Sequence, residues 1–228
     1  MMEMAAITQK RLCEVQLCGR VAYADGLAMQ QQAVENLRDG TGAEQLFLLE
    51  HNHVFTLGRA AKEANILASR EYLAAQGIEV HEIGRGGDVT YHGHGQLVGY
   101  PIINLKPDRC DVHRYVRDIE EVLIRVIAEY GIKGERIKGL TGIWVGNEKI
   151  AAIGVRIARW ITSHGFALNI NTDLRYFQMI VPCGIVDKGV TSMQKILGRE
   201  IDMQEVAQTT AKHFAAVFER QVILADIA

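Results

Sequence analysis

Arg85-Gly86-Gly87-Asp88-Val89-Thr90-Tyr91-His92-Gly93-His94-Gly95-Gln96 sets four glycines, two histidines, an arginine and an amide between two apolar segments, Ile78 to Ile83 before it and Leu97 to Leu105 after it. Glycine costs backbone entropy, so a cluster of it is expensive unless the chain must turn sharply or let a ligand approach its backbone. A ligand-handling loop is one reading, and a glycine-rich connection between two strands is the other. The dodecamer alone favours neither. Its Gly-x-Gly pattern does not meet the dinucleotide fingerprint, and no Gly-Lys-Ser/Thr phosphate loop occurs in the chain.

Around this stretch, 228 residues at 48% hydrophobic content are enough to bury a substantial core, and one catalytic domain over residues 1–228 is the economical expectation. A formal net charge of -2 gives no basic footprint for nucleic acid and no polybasic membrane patch. No apolar run is long enough to cross a bilayer and Met1 to Arg11 lacks a signal-peptide core, so a cytoplasmic protein is expected. Cys13, Cys18, Cys110 and Cys183 form no Cys-x-x-Cys pair, which argues against a zinc ribbon or a disulfide framework.

Before the dodecamer, Arg11 to Cys18 reads as a strand that would point Cys13 and Cys18 to opposite faces. Tyr23 to Arg38 reads as a helix with Tyr23, Leu27, Val34 and Leu37 on one stripe and Gly40 as its stop. Glu44 to Gly58 suggests one or two buried strands. His51 and His53 would share a strand face there, but a metal needs a third ligand that the sequence does not point to. Ser69 caps a short helix ending at Gly77, and Ile78 to Ile83 returns as a strand.

After it, Leu97 to Leu105 carries Pro101, which fits a sheet edge or a bulge. Asp111 caps a helix whose apolar stripe runs from Val112 to Tyr130. Leu140 to Val145, Lys149 to Ile157 and His164 to Ile170 resemble an antiparallel meander. Asp173 to Phe177 suggests a helical turn, and the chain is expected to finish with two helices, the last capped by Asp202 with Glu205 in the capping-box position.

Cys183 lies between Pro182, which fixes the backbone, and Gly184, which clears space, so its thiol can be presented rigidly to a ligand. A free cysteine is more often a small buried hydrophobe. Nucleophilic use requires a cation nearby to lower the thiol pKa. Lys149 is a candidate, since it leads the apolar run Ile150 to Val155, although a solvated hairpin end after Gly146-Asn147-Glu148 would explain it as well. His164 and His92 are rival partners, and Cys110 beside Arg109 is a rival nucleophile.

Together, Arg85-Gly86-Gly87 with Thr90, His92-Gly93 and Gly95-Gln96, then Lys149 to Gly154, then His164 to Asn169, then Val181-Pro182-Cys183-Gly184-Ile185 resemble the successive motifs of the octanoyltransferase family, also called lipoate-protein ligase B. The likeness spans roughly Leu46 to Leu197, and four blocks in the right order make it specific. His94 departs from it, since the family usually has proline between the two glycines.

The resemblance implies an α+β fold, a largely antiparallel mixed sheet flanked by helices, as in the catalytic domain shared with biotin and lipoate protein ligases. It implies transfer of an octanoyl group from acyl carrier protein to the target lysine of lipoyl domains, those of 2-oxoacid dehydrogenase complexes and the glycine cleavage H protein. Cys183 would carry the acyl thioester and Lys149 would activate it. Arg85, Gly86, Gly87, Asp88, Val89, Thr90, Tyr91, His92, Ala152, Ile153, Gly154, Gly165, Phe166 and Ala167 would line the acyl site. Because a thioester donor is already activated, no cofactor and no metal are expected, and the enzyme is expected to act as a monomer without nucleic acid or membrane partners. An ATP-dependent lipoate or biotin ligase of the same fold is the alternative, and it would leave Pro182-Cys183-Gly184 unexplained. A non-catalytic binder of lipoyl domains or acyl carriers is a third reading.

Overall fold

The computed structural model describes residues 10–181 and 188–225. Cys183 and its neighbours Pro182, Gly184 and Ile185 therefore lie outside the described residues.

Strand β1 (Arg11–Val21) is followed by helix α1 (Tyr23–Asp39), β2 (Glu44–His51), β3 (Val54–Leu57), α2 (Arg70–Ala75), β4 (Glu79–Glu82) and β5 (Val89–His92). Then come β6 (Gln96–Ile102), α3 (Val112–Ala128), β7 (Glu135–Ile137), β8 (Leu140–Val145), β9 (Glu148–Ala158) and β10 (Ile161–Asn169). A 3₁₀ turn (Leu174–Met179), β11 (Gly189–Val190), α4 (Met193–Leu197), α5 (Met203–Phe218) and β12 (Arg220–Ala225) complete the described chain. The main sheet runs β12-β1-β2-β6-β10-β9-β8-β7, with β11 added to β9, and a small sheet runs β4-β3-β5. Pairing from β2 to β7 is antiparallel, while β12 and β2 both lie parallel to β1.

Alternation along the strands divides the core. Leu46, Leu48 and Leu97 pack with the apolar stripes of α3 and α5, whereas Phe47, Leu49, Val98 and Tyr100 face the side covered by α1. Cys13 and Cys18 follow the same rule and belong to opposite faces. Asp111 accepts from Arg114 N, and Asp202 from Gln204 N and Glu205 N, so both expected caps are formed.

Several expectations change. The dodecamer is partly strand: it contains β5, and only the turn Gly93–Gly95 separates β5 from β6. Pro101 lies in a central strand and not at a sheet edge. The β6–β10 pairing breaks off at Gly99–Phe166 and resumes at the bridge Asn104–Ile161. Across that gap the Thr162 hydroxyl donates to the Pro101 carbonyl at 2.7 Å. Val112 is exposed, because it sits in the first turn of α3.

The buried face of α1 is Tyr23, Gly26, Gln30 and Ala33, rotated from the expected stripe. Gly26 lies under the His51 ring and Gln30 accepts from the His164 backbone at 2.7 Å, so this helix docks on polar groups as well as on core. His51 and His53 do not share a face. His51 bonds to Tyr100, while His53, beyond the end of β2, bonds to Tyr91.

The described residues do not end on helices either. Glu219 ends α5 in the left-handed conformation at φ 56°, where no glycine signals a stop, and β12 follows. Arg220 is buried and its Nε donates to Glu44 at 2.6 Å, while Glu44 also takes Arg11 at 3.1 Å and the Asn104 N–H at 3.0 Å. Removing one partner of a buried pair leaves the other charge uncompensated, so Arg220→Ala is expected to lower stability by about 3–5 kcal/mol. Urea denaturation measures this, and an unshifted midpoint would show that the pair does not hold the edge strand.

Candidate active site

A cavity of about 310 Å³ opens between the small sheet and the α1-side face of the main sheet. Its floor is set by register: Ala152 pairs with Ala167 and Gly154 with Gly165 across β9 and β10, and Ala167 pairs with Val98 on β6. Small side chains in adjacent strands leave a shallow strip along the sheet. Gly154 cannot be larger, because a Cβ there would lie 2.8 Å from Arg85 Cδ and 3.0 Å from the Gly86 carbonyl.

Arg85 clasps roof to floor. Its guanidinium donates to the Thr56 carbonyl at 2.8 Å, the Thr56 hydroxyl at 2.9 Å and its neighbour's carbonyl, Gly86 O, at 3.0 Å. Gly86 N donates to Val155 O at 3.0 Å, which ties the loop to β9. Asp88 steadies the next turn by accepting from Asn65 Nδ2 at 2.7 Å and Val89 N at 2.6 Å.

Lys149 marks one end of the strip. It is 92% buried, and its Nζ lies 4.8 Å from the centroid of the Trp144 ring that pairs with it across β8 and β9. Its stem runs past Gly142, whose backbone N–H donates to the buried Glu120 carboxylate at 3.2 Å. Glu120 also receives Arg117 and Arg136, and so pins the β7–β8 hairpin, whose residues Gly139, Leu140 and Thr141 line the cavity, to α3.

The other end is polar. His164 pairs with Val155, six residues beyond Lys149 on β9 and roughly 20 Å of strand away. Near it stand Tyr23, His92 and Tyr100. Hydrogen bonds fix the tautomers here. Gln96 Nε2 donates to the Tyr91 carbonyl at 3.1 Å and to Asn169 Oδ1 at 2.9 Å, so its Oε1 accepts from His92 Nδ1 at 2.8 Å. His92 therefore keeps a bare Nε2. From Asn169 the bonds continue to the Thr191 carbonyl at 3.0 Å, and Thr191 N donates to Lys149 O at 3.0 Å, linking the two ends of the site through buried groups. His51 Nδ1 donates to Val21 O at 2.8 Å, so its Nε2 accepts from the Tyr100 hydroxyl at 2.7 Å.

Burial lowers all three imidazoles: His51 to about 4, His92 to about 3 with His51 contributing, and His164 to about 4 with Arg85 contributing. They are neutral near pH 7.

Of the residues singled out in the sequence, Lys149, Arg85, Gly87, Asp88, Val89, Thr90, His92, Ala152, Ile153, Gly154, Gly165, Phe166 and Ala167 line this cavity. Gly86 and Tyr91 do not. Gly86 turns its backbone to β9, and Tyr91 points between Thr90 and His92 to the far side of the small sheet, against Phe55, Tyr176 and Phe177. His94 also lies outside the cavity, with its ring 4.5 Å from that of His53. Cys110 is exposed and away from it. Tyr23, Tyr100 and Val98 were missed, because in the sequence they read as helix stripe and strand filling. Among the described residues no group of three or more His, Cys, Asp or Glu side chains could hold a metal ion, and no helix is long and apolar enough to cross a membrane.

A model of the lipoyl protein ligase A/B catalytic domain matches residues 22–215. The chain belongs to this family. An octanoyltransferase of Myxococcus xanthus is 54% identical over 209 residues, covering 89% of this chain, which spans 58% of that protein's length. One of Solibacter usitatus is 50% identical over 213 residues, covering 93% of this chain and 96% of its own length. A crystal structure of lipoate-protein ligase A bound with ATP superposes with a TM-score of 0.76 over 94% of this chain and 89% of that one, at 15% identity. The expected biotin/lipoate ligase-like α+β fold is thereby found.

The neutral imidazoles carry a pH consequence. Each binds a proton near pH 6.5 when unfolded but only near 3 to 4 when folded. Stability from these groups is complete above about pH 6.5 and is lost as pH falls toward 4, with a slope of up to about 1.4 kcal/mol per pH unit for each. Urea midpoints measured from pH 7 to 4.5 are expected to fall steadily, and His51→Gln should flatten the slope.

Proposed function

We propose that the chain is an octanoyltransferase acting through a Cys183 thioester with Lys149 as its proton partner. The donor would be octanoyl-acyl carrier protein, and the acceptors the target lysines of lipoyl domains, those of 2-oxoacid dehydrogenase complexes and the glycine cleavage H protein. The observation that carries the reading is Lys149, a buried cation at the end of a strip of alanine and glycine, with β11 paired directly on it. That strand follows the segment bearing Pro182-Cys183-Gly184. The relatives named octanoyltransferase at about half identity support the same reading.

The steps balance with one cysteine and one lysine. In the resting pair the Cys183 proton already sits on the Lys149 amine, as thiolate beside ammonium, and the thiolate attacks the donor's thioester carbonyl. The carrier's sulfur leaves and takes its proton from Lys149. The acceptor lysine's neutral amine then attacks the Cys183 thioester, an amide forms, and Lys149 takes the amine's proton as the cysteine thiolate departs. The first exchange is nearly isoenergetic and amide formation drives the second. Arg85 and Thr90 roof the acyl chain, and Ala152, Gly154, Gly165 and Ala167 floor it. The work is assigned to a monomer in the cytoplasm.

Incubation with octanoyl-acyl carrier protein is expected to leave an octanoyl mass adduct on Cys183, absent in Cys183→Ala. An adduct on Cys110 would move the nucleophile, and none on any cysteine would end the mechanism. Lys149→Met is expected to shift the alkylation profile of the thiol to higher pH. Pyrophosphate release that depends on ATP would instead identify a ligase.

A further inference from the structure

One end of the cavity has the wrong chemistry for a hydrocarbon. The alanine and glycine strip is apolar, but past Gly154 and Gly165 the wall consists of Tyr23, Tyr100, His92 and His164. The Tyr100 hydroxyl is committed to His51, and His92 Nδ1 to Gln96. The Tyr23 hydroxyl, His92 Nε2 and both ring nitrogens of His164 have no hydrogen-bond partner among the described residues, although their side chains line the cavity. These side chains open onto the cavity, so water or a polar ligand group there supplies their hydrogen bonds.

Resting on the acyltransferase reading, we propose that this chamber is a polar stop that limits acyl length by hydrogen-bonding chemistry and not by volume. An alkyl chain that starts beside Lys149 runs over Ala152 and Ala167 and ends near Gly154 and Gly165. Each further methylene is forced among Tyr23, His92 and His164. There it strips a hydroxyl or an imidazole nitrogen of its partner, and that loss outweighs what the methylene gains from leaving water. Tyr23 is then a specificity-determining residue, supplied by α1 from outside the four sequence motifs.

Calorimetric titration of the full chain with free fatty acids tests this without turnover. For the wild type, 10-hydroxydecanoate is expected to bind roughly tenfold tighter than decanoate, the reverse of the order in an apolar pocket, where an added methylene alone changes binding about 10-fold or more. Tyr23→Phe removes one oxygen and almost no volume, and is expected to shrink the preference for octanoate over decanoate by about tenfold. Decanoate binding at least as tightly as its hydroxylated counterpart would overturn the proposal, and so would an unchanged octanoate-to-decanoate ratio in folded Tyr23→Phe. Should that variant not fold, the wild-type pair decides alone. An octanoyl adduct on Cys183 without a hydroxyl preference sinks only the polar stop. Failure of the protein to bind any of these acids, with no adduct formed, sinks the acyltransferase reading with it.

Discussion

The guanidinium of Arg85 holds the site together. One side chain reaches the backbone and hydroxyl of Thr56 in the small sheet while its stem lies against Gly154 in the main sheet. The Gly86–Val155 hydrogen bond and the bonds of Gln96 to His92 and to the Tyr91 carbonyl join the two sheets alongside it. A guanidinium suits the task because its planar fork satisfies several acceptors at once and stays charged when buried. The glycines around it follow from the same constraint. A Cβ at Gly58 would meet the Gly87 carbonyl at 2.3 Å, and one at Gly154 would push the clasp away.

The clasp explains why a glycine-rich stretch is at once structural and functional. The two readings of the dodecamer do not exclude each other. Residues 85–88 form the loop that approaches β9, and residues 89–92 form a strand that roofs the cavity with alternate side chains. Tyr91 shows the limit of carrying a motif over as a block. Within a strand the residue between two cavity-facing side chains must face the other way.

Much of the fold was legible because local signals and tertiary demands agree. Ser69, Asp111 and Asp202 cap helices, and the β8–β9–β10 meander follows its apolar runs. Legibility fails where a distant group decides. The stripe of α1 is displaced because His51 and the His164 backbone occupy its inner side, and neither is near in sequence. Strand β12 went unseen because its place is set by Glu44 and its start by a glutamate in a conformation usually left to glycine. Pro101 is tolerated in a central strand because Thr162 bridges the broken ladder. In the site, the floor was legible through the family resemblance, whose motifs carry Gly154, Gly165 and their neighbours, and the register that sets them side by side comes from the structure. The polar end was not legible, because Tyr23, Tyr100 and His92 meet only in three dimensions.

Strand β12 also governs when the molecule can mature during its synthesis. The ion pair from Arg220 to Glu44 joins residues 176 apart in the chain, and the pairing of Arg11 with Arg220 joins residues farther apart still. A nascent chain must therefore keep the outer edge of β1 unpaired until nearly all of the described sequence has left the ribosome. Until then that edge is open to the wrong strand, so the growing polypeptide is more exposed to misassociation than the finished one.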